Sequence, residues 1–404
     1  MSRDLPLSGL RVADFTWIGA GSYTTRLLAD LGADVIKIES NSHLDSLRES
    51  RPFPKGISGK NRSGYFADRN AGKRSVTLNM KTPEGRELAR KLILRSDLVG
   101  NNFTPGTMEK FGLGYESLKQ EHPGLIYLAM SMQGSDGPES RYLGYGLTMG
   151  ALTGLQYLAG LPDRDPAGTG TNYPDHVPNP AHAAFAVLAA LRHRRRTGCG
   201  QMIDLAQIEP TISLLGPAVL DFTANGHVQG RVGNQHVKCV PYGTYPCLGE
   251  DRWIALAAET DEQWESLAAV LQLPKREDFR TAAGRWNARE SVEQIIANAT
   301  RQRDVLELTR QLQMAGVPAG PVNDARDVLS GDQQLKYRDH WAYLDHPEMG
   351  VTAYGKMPFR LSDTDLTPTR PAPCLGQHTS EICREEFGMT DQEIERLRES
   401  QILW

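Results

Sequence analysis

A carboxylate in a proline-rich segment is the strongest candidate in this sequence for a reactive side chain. Asp175 lies in the segment 172–180, which three prolines stiffen because each fixes φ. An alanine-rich helix is predicted to begin near Asn179 and would point the positive end of its dipole back at this segment. A rigid Asp in that place stays ionised and can act as a nucleophile without a separate base. The same local sequence is typical of an Asp that forms a turn or caps a helix, so a catalytic and a structural role of Asp175 both stay open. His176 is predicted to point away from Asp175 and to be structural.

A glycine-containing turn near the N-terminus is the second feature that could do chemistry. Residues 10–15 predict a strand, and Gly19 and Gly21 then let the backbone come close to a ligand. An apolar helix stripe leads to a second strand ending at Glu39, an order typical of nucleotide-binding sheets. Glu39 follows the glycines by about 20 residues, where dinucleotide-binding folds place a ribose-binding acid. Because Thr24 replaces the third glycine of that fingerprint, a purely structural turn stays open as well.

Residues 40–75, called here the basic stretch, are predicted to be irregular and to suit phosphate groups. Lysine and arginine outnumber aspartate and glutamate in this stretch. A loop of this length in a compact domain is usually functional or disordered, and local positive charge attracts anions. A solvated, mobile loop is the alternative.

Composition limits the class of protein. The 404 residues suffice for two domains, and 23% charged with 39% hydrophobic residues is ordinary for a globular chain. A net charge of −4 argues against a nucleic-acid partner. No apolar run reaches the length of a membrane helix, and residues 1–7 lack the apolar core of a signal peptide, so no membrane partner and a cytoplasmic location are expected. The five scattered cysteines read as reduced thiols, and no metal site is predicted.

The alternation of strand and helix patterns predicts an α/β fold, a Rossmann-like large domain with a mainly parallel sheet. Thr82 and Pro83 mark a helix start, and capping boxes begin at Thr260 and Thr390. The sequence pattern becomes loop-rich after residue 224. We therefore predict a large domain in residues 1–224, a smaller inserted α/β domain in 225–325, and a return to the large domain in 326–404.

The chain resembles the class III coenzyme A transferases, the relatives of formyl-CoA:oxalate transferase and of the carnitine-pathway CoA transferase. The resemblance is carried by six segments that together span nearly the whole chain: 7–39, 73–85, 102–106, 197–201, 320–322 and 375–379. It implies an interlocked dimer, either a homodimer or a heterodimer or heterotetramer with a related subunit. It also implies CoA and acyl-CoA as substrates, with no tightly bound cofactor.

The resemblance assigns site residues. Asp175 matches the aspartate that carries the acyl group in that family. Ser40 stands where the family often has a basic residue, so Arg48 or Arg74 is expected to bind phosphate in its place. The CoA contacts that the resemblance implies are Gly19, Ala20, Ser40, Arg74, Leu78, Asn79, Lys81, Asn102, Phe103, Thr104, Lys110, Leu143, Tyr145 and Gly146.

The function that the resemblance implies is CoA transfer from succinyl-CoA to a carboxylic acid through an aspartyl-CoA thioester. The acceptor would be an aromatic or dicarboxylic acid such as benzylsuccinate. Residues 235–240 replace the glycine-rich substrate loop of the formyl-CoA enzyme, so oxalate specificity does not carry over. Three alternatives stay open: an α-methylacyl-CoA racemase, whose His-Asp motif is missing before Gly146, an NAD-dependent dehydrogenase, and a non-catalytic CoA-binding subunit.

Overall fold

The computed structural model describes residues 4–236 and 238–404. Residues 1–3, which belong to the segment considered above for a signal peptide, and residue 237, in the segment 235–240, lie outside the described residues. Across the described ranges, no helix combines the length and the apolar character needed to cross a membrane.

A six-stranded sheet forms the centre of the larger of two compact units. Its strands pair in the order β3-β2-β1-β4-β5-β6, and every pair is parallel. They are β1 (Arg11–Phe15), β2 (Asp34–Glu39), β3 (Arg74–Thr77), β4 (Leu98–Asn101), β5 (Ile126–Ala129) and β6 (Met202–Asp204). The strand order reverses between β1 and β4, and ligands of open parallel sheets bind at the carboxyl ends of the strands on either side of such a reversal. The predicted α/β fold with a mainly parallel sheet is confirmed.

Helices cover both faces of this sheet because its central strands β1, β4 and β5 place apolar side chains on both sides. Val12 packs on one face with Leu28 and Val187, while Phe15 packs on the other with Leu92. The helices of this unit are α1 (Ile18–Asp30), α2 (Gly64–Asn70), α3 (Pro83–Leu94), α4 (Thr107–Lys110), α5 (Tyr115–Glu121), α6 (Gly146–Leu152), α7 (Leu155–Leu158, at its boundary), α8 (Tyr173–His176), α9 (Pro178–Thr197), α10 (Ile208–Ser213) and α11 (Gly216–Asn225). Thr82 caps α3 as predicted, its hydroxyl accepting from the amide of Gly85.

The chain divides into two compact units, each built from segments that are not consecutive in the sequence. The larger unit comprises residues 1–156, 168–229 and 336–404 within the described ranges, and the smaller comprises 157–167 and 230–335. The smaller unit contains an antiparallel sheet of β7 (Tyr242–Pro246), β8 (Trp253–Ala257) and β9 (Ala319–Pro321). Its helices are α12 (Asp261–Leu271), α13 (Ala282–Asn287), α14 (Arg289–Thr300) and α15 (Val305–Met314). The domain boundaries at 225 and 325 stay a prediction.

The last part of the larger unit completes its fold. It contains α16 (Gln333–Tyr337, at its boundary), the hairpin of β10 (Trp341–His346) and β11 (Gly350–Gly355), α17 (Thr379–Phe387) and α18 (Asp391–Glu399). The predicted capping box at Thr390 is confirmed: its hydroxyl accepts from the amide of Glu393, whose carboxylate accepts from the amide of Thr390. Short 3-10 turns cover Ser46–Glu49, Pro54–Gly56 and Glu277–Phe279, and a π turn covers Asp327–Gly331.

The basic stretch is more ordered than predicted. It contains α2, whose start is capped by the Ser63 hydroxyl accepting from the amide of Phe66. Phe66 and Ala67 are buried and hold α2 in a small apolar cluster. The sequence prediction of an irregular stretch is wrong for these residues because α2 is short and its core contacts come from distant residues such as Tyr354.

Candidate functional site

At the reversal of strand order between β1 and β4, a side chain forms hydrogen bonds with the main chain. Asn102, directly after β4, accepts a hydrogen bond from the amide of Trp17 at 2.8 Å. Its amide group donates to the carbonyl of Trp17 at 2.7 Å. Both hydrogen-bonding groups of the Trp17 main chain are thus satisfied at the point where the chain leaves β1 for α1.

The first residue of α1 has a strained backbone. Ile18 has φ of 57°, in the left-handed region that is a genuine outlier for a β-branched residue. Its amide donates to the Asp45 carboxylate at 3.1 Å. Asp45 in turn pairs with Lys37 at 3.0 Å, and both side chains are fully buried. Strain of this kind persists only where the surroundings enforce it, and it concentrates at functional sites.

The Asp175 side chain lies against the start of this helix. Asp175 belongs to the single turn of α8 and is 4% exposed. A Cβ at Gly19 would lie 2.7 Å from the Cβ of Asp175 and 3.0 Å from its Oδ2, and a Cβ at Gly146 would also lie 3.0 Å from Oδ2. Two glycines from different parts of the chain therefore leave the space that this carboxyl group occupies.

Burial changes the acidity of this carboxyl group. Loss of water raises the pKa of Asp175 to about 6, although the charge of Arg69 and a hydrogen bond from the amide of Gly146 act to lower it. The sequence prediction of an ionised carboxylate holds at neutral pH, but the pKa lies above the ordinary value because burial outweighs both favourable contacts. Asp175 is therefore a buried carboxylate whose pKa lies close to neutral pH.

Its neighbour His176 has a different environment. The Nε2 of His176 lies 3.2 Å from the hydroxyl of Tyr65, and the two rings meet edge-on at 5.8 Å between centroids. Burial and the charge of Arg69 lower the pKa of His176 to about 4, which leaves it neutral at pH 7. His176 is therefore held against α2 by its contacts with Tyr65.

Two pockets lie at the carboxyl edge of the sheet. The Asp175 pocket, next to α1, includes Asp175 and residues 131, 132 and 207 in its lining. The Trp17 pocket lies over the ends of β2 and β3, and its lining is mostly apolar, with Trp17, Ile38 and Phe111. Trp17 makes ring contacts with His43 at 4.8 Å and with Phe103 at 5.3 Å. Phe103 lines both pockets, so the two are neighbours.

Comparison with known proteins now decides the family. The model of the family described as CoA-transferase family III matches residues 7–379. The chain is 32% identical over 389 residues to the succinate–glutarate CoA-transferase of Agrobacterium fabrum, covering 95% of this chain and 96% of that protein. It is 35% identical over 388 residues to the succinyl-CoA:mesaconate CoA-transferase of Haloarcula hispanica, covering 94% and 96%.

The chain belongs to CoA-transferase family III.

A solved structure agrees. A CAIB/BAIF family protein from Brucella suis superposes with a TM-score of 0.87 at 34% identity, covering 95% of this chain and all of that chain. The protein is thus a class III CoA-transferase, an enzyme whose substrates are CoA thioesters. The racemase, dehydrogenase and non-catalytic alternatives are not favoured by these comparisons.

The structure brings most of the predicted contact residues of this transferase to the two pockets. The Asp175 pocket is lined by Gly19, Ala20, Asn102, Phe103, Thr104, Leu143 and Tyr145, and the Trp17 pocket by Ser40, Leu78, Asn79, Lys81 and Phe103. The amide of Gly146 bonds to Asp175. Lys110 is exposed at the end of α4, one residue before Phe111 of the Trp17 pocket.

Arg74 lies away from both pockets, and its CoA contact stays a prediction. It begins β3, beside the beginning of β2, and therefore lies at the opposite edge of the sheet from both pockets. Its guanidinium is bound to Asp34 at 2.6 Å, to Glu385 at 2.8 Å and to Glu381 at 3.0 Å. These acids come from distant segments, so the sequence alone did not reveal that this charge was already neutralised.

Arg48, the other cation expected to bind phosphate, is also committed elsewhere. It pairs with Glu39 through hydrogen bonds of 2.8 and 2.7 Å, and both side chains are fully buried. This pair also removes the free ribose-binding acid on which the dehydrogenase alternative depended. Lys73 is likewise buried against Asp14 at 2.9 Å.

Several residues at the site were not predicted from the sequence. They are Ile18 and Trp17 at the start of α1, Ser131 in the Asp175 pocket, and Tyr65 and Arg69 behind α8. Only Trp17 and Ile18 had a local signal, since these two residues directly precede Gly19. The others depend on tertiary placement.

Proposed function

We propose that this enzyme transfers CoA from succinyl-CoA to a dicarboxylic acid, with Asp175 as the nucleophile that carries the acyl group. The observation that carries the proposal is the buried carboxylate of Asp175, 4% exposed, packed against Gly19 at the start of α1. A carboxylate needs no base to attack a thioester, and one with a pKa of about 6 is largely ionised at pH 7.

The reaction proceeds through two covalent species. A carboxylate oxygen of Asp175 attacks the carbonyl carbon of succinyl-CoA, and the C–S bond breaks to give a mixed anhydride and CoA thiolate. The thiolate then attacks the aspartyl carbonyl carbon and releases succinate, leaving an aspartyl-CoA thioester. The acceptor carboxylate attacks this thioester, and the returning thiolate attacks the acceptor carbonyl of the second anhydride, which regenerates the Asp175 carboxylate. One thioester replaces another, so no external energy source is required.

The main chain around Asp175 can stabilise the oxyanions of these steps. The first N–H groups of a helix lack partners within the helix, and the positive end of its dipole lies there. The amide of Ile18 is taken by Asp45, but Gly19 and Ala20, which follow it at the start of the 13-residue α1, also line the Asp175 pocket. Preorganised amides aimed at a developing oxyanion lower the barrier most where water is excluded. The burial of Asp175 also protects the anhydride and the thioester from hydrolysis.

The Trp17 pocket suits the nucleotide end of CoA. Its aromatic and aliphatic lining offers faces on which an adenine ring can stack, and Trp17 itself is held by Asn102. Lys81 lines this pocket and is exposed, so it can bind a phosphate. Phe103, which lines both pockets, marks the path of the pantetheine arm towards Asp175.

The choice of acids rests on the relatives. The names of two relatives pair succinate or succinyl-CoA with glutarate and with mesaconate, so we expect succinyl-CoA as donor and a dicarboxylic acceptor. Benzylsuccinate, a dicarboxylic acid with an aromatic substituent, remains the specific candidate suggested by the sequence around Asp175.

A panel assay tests this function. The purified enzyme is incubated with succinyl-CoA and each of glutarate, mesaconate, benzylsuccinate and oxalate, and new acyl-CoA esters are identified by mass spectrometry. We expect a dicarboxylyl-CoA product from at least one acid other than oxalate, and none from Asp175→Asn. Asp165→Asn, which changes an exposed carboxylate, should keep wild-type activity. Equal product formation by Asp175→Asn would contradict the proposal.

We further expect the enzyme to work as a homodimer or with a related second subunit. Two relatives are named as alpha and beta subunits of a succinyl-CoA–L-malate CoA-transferase. Native mass spectrometry of the purified chain distinguishes a dimer from a monomer that awaits a partner.

A further inference from the structure

A partly buried arginine lies behind the turn that carries Asp175. Arg69 is on α2, one helical turn after Tyr65, and its side chain is 13% exposed. Its guanidinium carbon lies 4.3 Å from the ring centroid of Tyr23 on α1 and 5.8 Å from that of Tyr65. Two aromatic faces therefore hold this cation in place, an arrangement that the planar guanidinium favours.

Tyr65 connects this cation to the Asp175 turn. The Tyr65 hydroxyl lies 3.2 Å from Nε2 of His176, the residue directly after Asp175. A displacement of α2 would thus be transmitted to α8 through one hydrogen bond and one ring contact. Arg69 and the carboxylate belong to one packed assembly.

The charge of Arg69 is only partly neutralised by its own ion pair. Arg69 contacts Asp68 at 3.1 Å, but Asp68 is 46% exposed and is shared with Arg26 at 3.0 Å. The Nε of Arg69 is buried and has no hydrogen-bond partner among residues 4–236 and 238–404. Since charges interact more strongly through the protein interior than through water, this partly buried cation lowers the pKa of the Asp175 carboxyl group.

We propose that Arg69 is a positioning residue of the transfer reaction, which keeps the buried side chain of Asp175 in the charged form that attacks the thioester. This inference rests on the proposed role of Asp175 as nucleophile. No direct ion pair joins the two side chains in the described part of the chain, so Arg69 acts through space and through the packing of Tyr65 on His176.

The charge of Asp175 changes during the catalytic cycle. It is negative in the resting enzyme and absent in the anhydride and in the thioester. A fixed cation therefore stabilises the form that begins each turnover, and its effect is largest at low pH, where the carboxyl group would otherwise take up a proton.

The other ionisable groups around α8 do not replace this cation. Within the described chain, the charge of Arg69 is the one that lowers the pKa of the Asp175 carboxyl group. The ionisable side chains on the neighbouring elements are Tyr23, Arg26 and Asp30 on α1, Tyr65 and Asp68 on α2, Tyr145 before α6, Tyr173 and His176 on α8 itself, His182, Arg192, His193, Arg194, Arg195 and Arg196 on α9, and Glu209 on α10.

The pH profile of the reaction tests the inference. We compare kcat/KM for succinyl-CoA between pH 5.5 and 8.5 in the wild type, Arg69→Met and Arg69→Lys. Arg69→Met should move the acid limb upward by about one pH unit, with a loss of about fivefold at pH 6 and less than about twofold at pH 8.5. Arg69→Lys keeps the charge and should keep the wild-type limb. Arg95→Met, at an exposed site after α3, is the control and should leave the profile unchanged.

The inference would be overturned by an acid limb that does not move in Arg69→Met, or by a loss of equal size at every pH, as a purely structural role requires. Circular dichroism checks the fold, and Arg69→Gln takes the place of Arg69→Met if that variant is unfolded. An acid limb displaced as far in Arg69→Lys as in the neutral variant would also contradict it. Asp175→Asn separates the two proposals, since full activity in that variant would refute the nucleophile itself.

Discussion

The side chain of Asn102 makes two hydrogen bonds to the main chain of Trp17, at 2.8 and 2.7 Å, and so joins the ends of β4 and β1. This pair stands where the strand order of the sheet reverses, between the Asp175 pocket and the Trp17 pocket. The two pockets therefore share one fixed boundary. Removal of the Asn102 side chain should affect the binding of CoA more than the chemistry at Asp175.

Asn102→Ala should weaken CoA binding and lower stability. It leaves the amide and the carbonyl of Trp17 without partners, which costs about 1–3 kcal/mol of unfolding free energy for each buried group. We expect the KM for succinyl-CoA to rise about tenfold, measured by initial rates, with a smaller fall in kcat. Asn102→Asp can still accept from the amide but cannot donate to the carbonyl, and should give an intermediate result. Wild-type KM and melting temperature in both variants would contradict this role.

Gly19→Ala should abolish most activity while leaving the fold intact. The added Cβ would lie 2.7 Å from the Cβ of Asp175, and contacts under 3.0 Å force a displacement. A shift of the nucleophile by about 1 Å lowers rates by about a hundredfold. Steady-state kinetics and a thermal melt measure the two effects separately. Gly168→Ala is the matched control, because a Cβ there meets nothing within 4 Å; similar losses in both variants would count against the close approach.

The salt dependence of CoA binding should come from exposed lysines and not from Arg74. Lys81 lines the Trp17 pocket and is open to solvent, whereas the Arg74 guanidinium is held by Asp34 and two glutamates at the other edge of the sheet. Lys81→Ala should reduce both the affinity for CoA and its decrease between low and high salt, because exposed charges are screened. Calorimetry measures both. Arg74→Met should lower thermal stability and leave CoA affinity unchanged; weaker CoA binding in this variant would support the contact that the resemblance implies.

Asp175→Asn should make the protein more stable at neutral pH. Because burial raises the pKa of Asp175 to about 6, the folded protein holds a proton that the unfolded chain releases near pH 4. Stability from this group is full below pH 4 and is lost as the pH rises through 6, up to about 3 kcal/mol. Denaturant unfolding should show a gain for the variant at pH 7.5 that vanishes below pH 4. A variant less stable than the wild type at pH 7.5 would show that the carboxylate is not strained by burial.

The central sheet could be predicted from the sequence because its strands β1 to β5 are buried on both faces. Residues 10–15 and 34–39 are apolar enough to identify β1 and β2, and Thr82 and Thr390 have the polar side chains that cap helices. Local sequence decides these features. The helix α2 was missed because its pattern is short and polar, and its buried side chain, Phe66, packs on residues far along the chain.

The electrostatics of the site could not be predicted in the same way. Arg74 and its partner Glu381 are separated by more than 300 residues, so its positive charge looked free in the sequence. Asp175 was found through its prolines and the family resemblance, yet its pKa depends on burial, which raises it, and on Arg69 and Gly146, which lower it. The fold brings these groups together. Burial is a tertiary property, and a local pattern does not report it.

Trapping the aspartyl intermediate tests the central claim most directly. Hydroxylamine attacks activated acyl groups and spares free carboxylates, so enzyme treated with succinyl-CoA and then hydroxylamine should carry a hydroxamate on Asp175. Peptide mapping by mass spectrometry should find this adduct only when the donor is present, together with loss of activity. Enzyme without donor and Asp175→Asn with donor serve as controls. An adduct on another residue, or no donor-dependent inactivation, would contradict the account.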